Sequence, residues 1–184
     1  MALTESTMLP LGTKAHAFDL YDTVSAKNIT LDSLTTGVGT VIMFICNHCP
    51  FVKHVQSELA RLARDYQPKG IQFVAISAND VANYPEDSPD NMARFARQNG
   101  FTFPYLYDET QDIAKAYGAA CTPDFYIFNQ DDECVYRGQL DDSRPGNNMP
   151  VTGKDVRQAL DALLAGEEVL SDQIPSIGCN IKWK

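Results

Sequence analysis

The sequence predicts an α/β fold, a central mixed sheet flanked by helices, and three stretches carry that prediction. "TVIMFIC" (40–46) and "IQFVAIS" (71–77) are continuous apolar runs of the length of buried strands, and the segment between them has helical periodicity. That makes a strand–helix–strand unit with parallel strands. Later, "DFYIFNQDDECVYRGQL" (124–140) reads as strand, acidic turn and strand, an antiparallel hairpin. A parallel unit joined to an antiparallel hairpin gives a mixed sheet.

The remaining elements follow in chain order. "AHAFDLYDTVSAKNITLDSL" (15–34) has the short runs and polar turn of an N-terminal β-hairpin. After Cys49, "FVKHVQSELARLARDY" (51–66) places Val52, Val55, Leu59 and Leu62 on one helical face, and Gly70 stops the helix. "YPEDSPDNMARFARQNG" (84–100) opens as a proline-rich loop, offers Ser88 or Asp90 as a cap and ends a short helix at Gly100. "FTFPYLYD" (101–108) is extended, and its Phe101, Phe103, Tyr105 and Tyr107 read as core. "ETQDIAKAYGAA" (109–120) is a short helix, and after a loop "TGKDVRQALDALLAG" (152–166) is the last one. The chain of 184 residues reads as one domain, with a core of about 15–166 and a polar tail, 167–184.

Composition excludes some classes of function. With 44% apolar residues the chain is ordinary globular protein, and a net charge of −9 leaves no basic stripe for nucleic acid or an anionic membrane surface. No apolar run is long enough to span a bilayer, and the first residues lack a secretory pattern, so a cytoplasmic location is expected. Five cysteines are too few for a disulfide scaffold of this length. A cysteine pair here is expected to cycle or bind rather than to staple. No cofactor is expected, because no nucleotide-binding glycine fingerprint is present.

The chemistry concentrates in "CNHCP" (46–50). Structural zinc normally takes four ligands, and a second Cys pair or paired histidines are missing. At a strand–helix junction, Cys46 would sit at the helix N-terminus and Cys49 in its first turn, where unpaired N–H groups and the helix dipole favour a thiolate. His48 adds a cationic influence when protonated, and Pro50 is tolerated in a first turn. All of this should lower the pKa of Cys46. A fall from about 8.5 to about 6 would raise the thiolate fraction at neutral pH roughly thirtyfold and cut intrinsic nucleophilicity about thirteenfold. The larger consequence is for the potential, since a stabilised thiolate makes the disulfide more oxidising. Further on, Thr122-Pro123 before a strand is a candidate cis step. Cys134 reads as a small apolar strand residue, Glu58 and Asp65 as solvated helix residues, and Asp124 as a strand-end cap.

CxxC at a strand–helix junction, followed much later by Thr-Pro, a hairpin and a last helix, resembles the thioredoxin-like superfamily. The nearest resemblance is to its redoxin-like, AhpC/TSA-related group carrying CNHCP, in which residues 81–108 would be the characteristic insertion. The resemblance implies a thiol-disulfide oxidoreductase with Cys46 attacking, Cys49 resolving, His48 modulating, and cis-Pro123 with Thr122 pairing with the substrate backbone. Cys121 would lie close by, and Cys121 and Cys179 are candidate accessory redox thiols, with Trp183 expected to pack down and carry Cys179. The implied partners are a disulfide-containing protein or small thiol as substrate, and a dithiol protein or glutathione as reductant. Two alternatives stay open. "HCPFV" is similar to the peroxidatic motif of peroxiredoxins, which would make Cys49 the peroxidatic sulfur, although Cys46 fills that family's Thr position and Thr122 or Cys121 its Arg position. Copper-delivery relatives of the same fold suggest instead a Cu(I) or zinc chaperone using Cys46, Cys49 and His48.

Overall fold

The computed structural model describes residues 3–35 and 37–184. The first apolar run is β4 (Gly39–Phe44), the amphipathic segment α2 (Pro50–Tyr66) and the second apolar run β5 (Ile71–Ser77), with β4 and β5 parallel as expected. The late hairpin is β8 (Asp124–Asn129) and β9 (Cys134–Gly138), and β8 lies antiparallel on the other side of β4, pairing Phe44 with Asp124. The early hairpin is β2 (Asp19–Asp22) and β3 (Lys27–Thr30), and β6 (Tyr105–Tyr107) joins it to β5. The result is a mixed seven-stranded sheet in the order β3-β2-β6-β5-β4-β8-β9.

Continuous apolarity in β4 is explained by burial on both faces. Val41 and Met43 enter a core built with α2, α3 (Pro89–Gln98) and α5 (Lys154–Leu164), whereas Ile42 and Phe44 enter one shared with α1 (Leu31–Leu34) and α4 (Asp112–Ala116). Val52, Val55, Leu59 and Leu62 are buried, as are Phe103 and Tyr105. Ser88 caps α3 by accepting from the Asn91 N–H at 3.3 Å. Glu58 is not the solvated residue its helical position suggested. It is 2% exposed and pairs with Arg61 at 2.9 Å and with Arg157 at 2.8 Å, tying α2 to α5. Asp65 does stay exposed, bonded to Arg157.

The largest departure is the tail. Residues 177–180 form β10 (Ile177–Asn180), the middle strand of a small antiparallel sheet between β1 (Leu3–Glu5) and β7 (Cys121–Thr122). Main-chain bonds fasten the segment: Ile181 N–H to Ala120 O at 3.0 Å and Asp80 N–H to Lys182 O at 2.8 Å. Ile181 is the apolar anchor, 1% exposed, while Trp183 is 42% exposed with Lys115 Nζ 5.8 Å from its ring. Trp183 therefore does not hold Cys179 in place; the strand does. No helix among the described residues is long and apolar enough to cross a membrane.

Candidate active site

Helix α2 starts at Pro50, so Cys49 is its N-cap and Cys46 lies three residues further out, just beyond β4. This shifts the helix's influence from Cys46, where the sequence placed it, to Cys49. Both sulfurs are buried. The Cys46 thiol, the Cys179 thiol and the Thr122 hydroxyl all donate toward the Cys49 sulfur, and the Val52 N–H at the head of α2 adds to them. Thr122 O, 3.4 Å from the same sulfur, accepts the Cys49 S–H and so opposes the charge. The donors outnumber that carbonyl, and the Cys49 pKa falls, chiefly through the hydrogen bond from Cys46 and against the cost of burial.

Cys46 moves the other way. Its pKa is raised well above the ordinary thiol value, first because it donates to Cys49, then by burial and by the negative charge of Asp87. The expectation of a depressed Cys46 is thus corrected: of the two coupled thiols it is Cys49, at the helix N-cap, whose pKa is depressed. Two coupled thiols cannot both ionise cheaply at close range, and the one at the helix N-terminus wins.

Asp87 is the site residue that the sequence did not mark. It is fully buried, accepts from the Asn47 N–H at 2.7 Å and the Asn79 amide at 2.9 Å, and lies 2.6 Å from His48 Nδ1. Its loop is the insertion after β5, and nothing local in "YPEDSP" reports that the carboxylate turns inward. Asn47 is held in turn by the Tyr105 hydroxyl at 2.9 Å, and the half-buried His48 ring stacks on Tyr84 at 5.7 Å. The donor atoms of Cys46, His48 and Asp87 lie within 4.8 Å of one another, so the group that could hold a metal is not the expected Cys46, Cys49 and His48 set. In the structure, Asp87 is instead taken up by Asn47, Asn79 and His48.

The Thr122-Pro123 bond is cis, and the step faces the dithiol: the Thr122 hydroxyl lies 3.6 Å from Cys46 Sγ. Cys121 points elsewhere, toward the carbonyls of Pro123 (3.7 Å) and Ser176 (4.0 Å), and burial keeps it protonated. Cys179 is raised to about 12, by burial first and then by its bond to Cys49. Cys134 is the buried strand residue expected, pushed up to about 11 by burial. Among the described residues none of the five cysteines is in a disulfide. The edge of Thr122, expected to pair with a substrate backbone, is already paired with β10. A thiol donating to a neighbouring thiolate, beside a threonine hydroxyl and a buried carboxylate, is equipped for thiol–disulfide exchange.

Comparison with known proteins bears on this geometry. A profile of the AhpC/TSA family matches residues 11–137. The thiol-disulfide oxidoreductase ResA of Halalkalibacterium halodurans is 27% identical over 67% of this chain, and the match spans 65% of that relative's length. A conserved protein of Geobacillus kaustophilus has a crystal structure that is 62% identical, covers 100% of this chain and 97% of its own, and superposes with a TM-score of 0.98. The thioredoxin domain of a Bacteroides vulgatus thiol-disulfide oxidoreductase, at 14% identity and a TM-score of 0.60 over 71% of this chain and 89% of its own, shares the fold.

Proposed function

We propose, for a chain that belongs to the AhpC/TSA family, that Cys46 and Cys49 are a dithiol–disulfide couple and that the protein is a thiol-disulfide oxidoreductase. The observation that carries this reading is two buried cysteines, one of them the N-cap of α2, facing the cis Thr122-Pro123 step with the Thr122 hydroxyl 3.6 Å from Cys46 Sγ. In the forward direction Cys49 attacks one sulfur of a substrate disulfide, a Cys49–substrate bond forms, and the other substrate sulfur leaves as a thiolate that takes its proton from solvent. Cys46 then attacks the Cys49 sulfur and its proton goes to the departing substrate thiolate. Two substrate thiols and a Cys46–Cys49 disulfide result. The order of attack reverses the one the family resemblance implied, because the depressed thiol is Cys49. The hydrogen bond to Cys49, burial and the charge of Asp87 together keep Cys46 protonated until the second step, His48 neighbours that carboxylate, and the Thr122 hydroxyl lies beside the pair.

The substrates in this reading are protein disulfides, and a dithiol protein or glutathione returns the electrons. Its compartment in this reading is the cytoplasm, supported by a cysteine count too low for a disulfide scaffold in a chain of 184 residues. One observation favours peroxide reduction as a second reading: Cys49, followed by Pro50 at a helix N-cap, is a depressed thiol with a neighbour able to resolve it. Against it, the guanidinium of Arg137, beneath the cis step, is committed to Asp124 at 2.7 Å. The deciding experiment is a redox titration in glutathione buffers, quenched by alkylation and mapped by mass spectrometry. Cys46 and Cys49 should convert together as one two-electron couple. A pair that never oxidises, or one that oxidises only with hydrogen peroxide, rules the exchange reading out.

A further inference from the structure

β10 lies where an incoming chain would have to lie. Cys179 stands opposite Thr122 and Asn180 opposite Cys121, in antiparallel register along the edge that faces the dithiol. The Cys179 side chain hydrogen-bonds to Cys49, so the strand delivers a cysteine to the sulfur that carries the thiolate. Ser176 reinforces the seat by donating to Pro123 O at 2.6 Å. The residue before the cysteine is sterically fixed. A Cβ on Gly178 would stand 2.0 Å from Thr122 O and 2.8 Å from its carbonyl carbon, both backbone atoms that cannot give way. Glycine is needed there for close approach of two main chains.

We propose that Ile177–Asn180 is a built-in mimic of the substrate: the β7 edge is a docking site for an extended polypeptide carrying a Gly-Cys step, filled here by the protein's own C-terminal strand. A protein substrate enters by displacing β10, pairs with Thr122 and places its own cysteine on Cys49. The glycine before that cysteine is the specificity element. Backbone pairing supplies the affinity and a side-chain-free position supplies the selection. The proposal rests on the exchange reading of Cys46 and Cys49 and adds to it the class of substrate that the site accepts.

Two peptides test it on the intact wild-type protein: Ile-Gly-Cys-Asn and Ile-Val-Cys-Asn, each blocked at both ends and supplied as a mixed disulfide with thionitrobenzoate. The glycine peptide should be reduced roughly tenfold faster, the size of effect expected from a main-chain clash. Equal rates overturn the mimic while leaving the exchange reading intact. Reduction of neither peptide, together with a redox titration in which Cys46 and Cys49 never pair, overturns both. In the protein itself, Gly178→Val should dislodge β10 and speed iodoacetamide modification of Cys49 roughly tenfold, whereas Cys179→Ser, which keeps the strand, should leave Cys49 shielded. A folded Gly178→Val protein modified at the wild-type rate also overturns the proposal.

Discussion

Two buried carboxylates, Asp124 directly after the cis Thr122-Pro123 step and Asp87 beside Cys46 and His48, are satisfied in opposite ways. Asp124 meets a guanidinium: Arg137 Nη2 reaches it at 2.7 Å, and the rest of that side chain goes to Met8 O at 3.0 Å, to Gly118 O at 3.1 Å and to the face of Tyr126. Asp87 receives a backbone N–H, an amide and an imidazole nitrogen. The first carboxylate is paired with a permanent cation, and what its charge does to Cys121 and Tyr126 is opposed by Arg137. The second has no permanent cation against it, so its field reaches Cys46 and adds to the hydrogen bond to Cys49 and to burial in raising that thiol's pKa. A buried charge can thus serve as a lock or as a tuning element, and the choice of partner decides which.

The lock is the more costly of the two to open. Arg137→Met should leave Asp124 buried without a cation and lower the unfolding free energy by about 3–5 kcal/mol, read by urea denaturation, with the titration of the Cys46–Cys49 pair in the surviving folded protein unchanged. A loss no larger than that of a surface substitution would show that the pair is not a lock. Asp87→Asn should cost less, about 1–2 kcal/mol, because the amide keeps an acceptor for Asn47. Its signature is electrostatic: removal of the charge lowers the second thiolate step, followed by thiolate absorbance. An unmoved second step would take Asp87 out of the chemistry. Smallest is Thr122→Val, which deletes a hydroxyl that favours the Cys49 thiolate. The first thiolate step should rise by about 0.5–1 pH unit with little change in stability, and a downward shift would contradict the assigned donor.

What was legible from the sequence was what is encoded locally. The two apolar runs, the helix between them and the late hairpin follow from periodicity, and CNHCP and Thr-Pro are short motifs whose spacing carries their chemistry. The sulfur bearing the charge was misplaced by a helix boundary of three residues: Pro50 opens α2, so Cys49 rather than Cys46 sits on the N-cap. Asp87 was invisible because its inward turn depends on Asn47 and Asn79, distant or non-adjacent in sequence. β10 was read as tail because "IGCN" has no strand pattern of its own. It is a strand only because β1 and β7 supply partners on both sides, which no window of sequence reports. Glu58 was misjudged for the same kind of reason, since Arg157 arrives from a helix near the other end of the chain.

In the exchange reading the reduced pair holds one thiolate and one thiol across the neutral range, with Cys49 depressed to about 5 and Cys46 raised well above the ordinary value. The sign follows directly: between those two steps, reduction of the Cys46–Cys49 disulfide takes up two electrons but one proton. The most direct measurement is the reduction potential of the pair at several pH values between about 6 and 8, where it should fall by about 30 mV per pH unit. A fall of about 59 mV per unit, the slope of a pair that takes up two protons, would mean that both cysteines are ordinary thiols and that the site is not built as described.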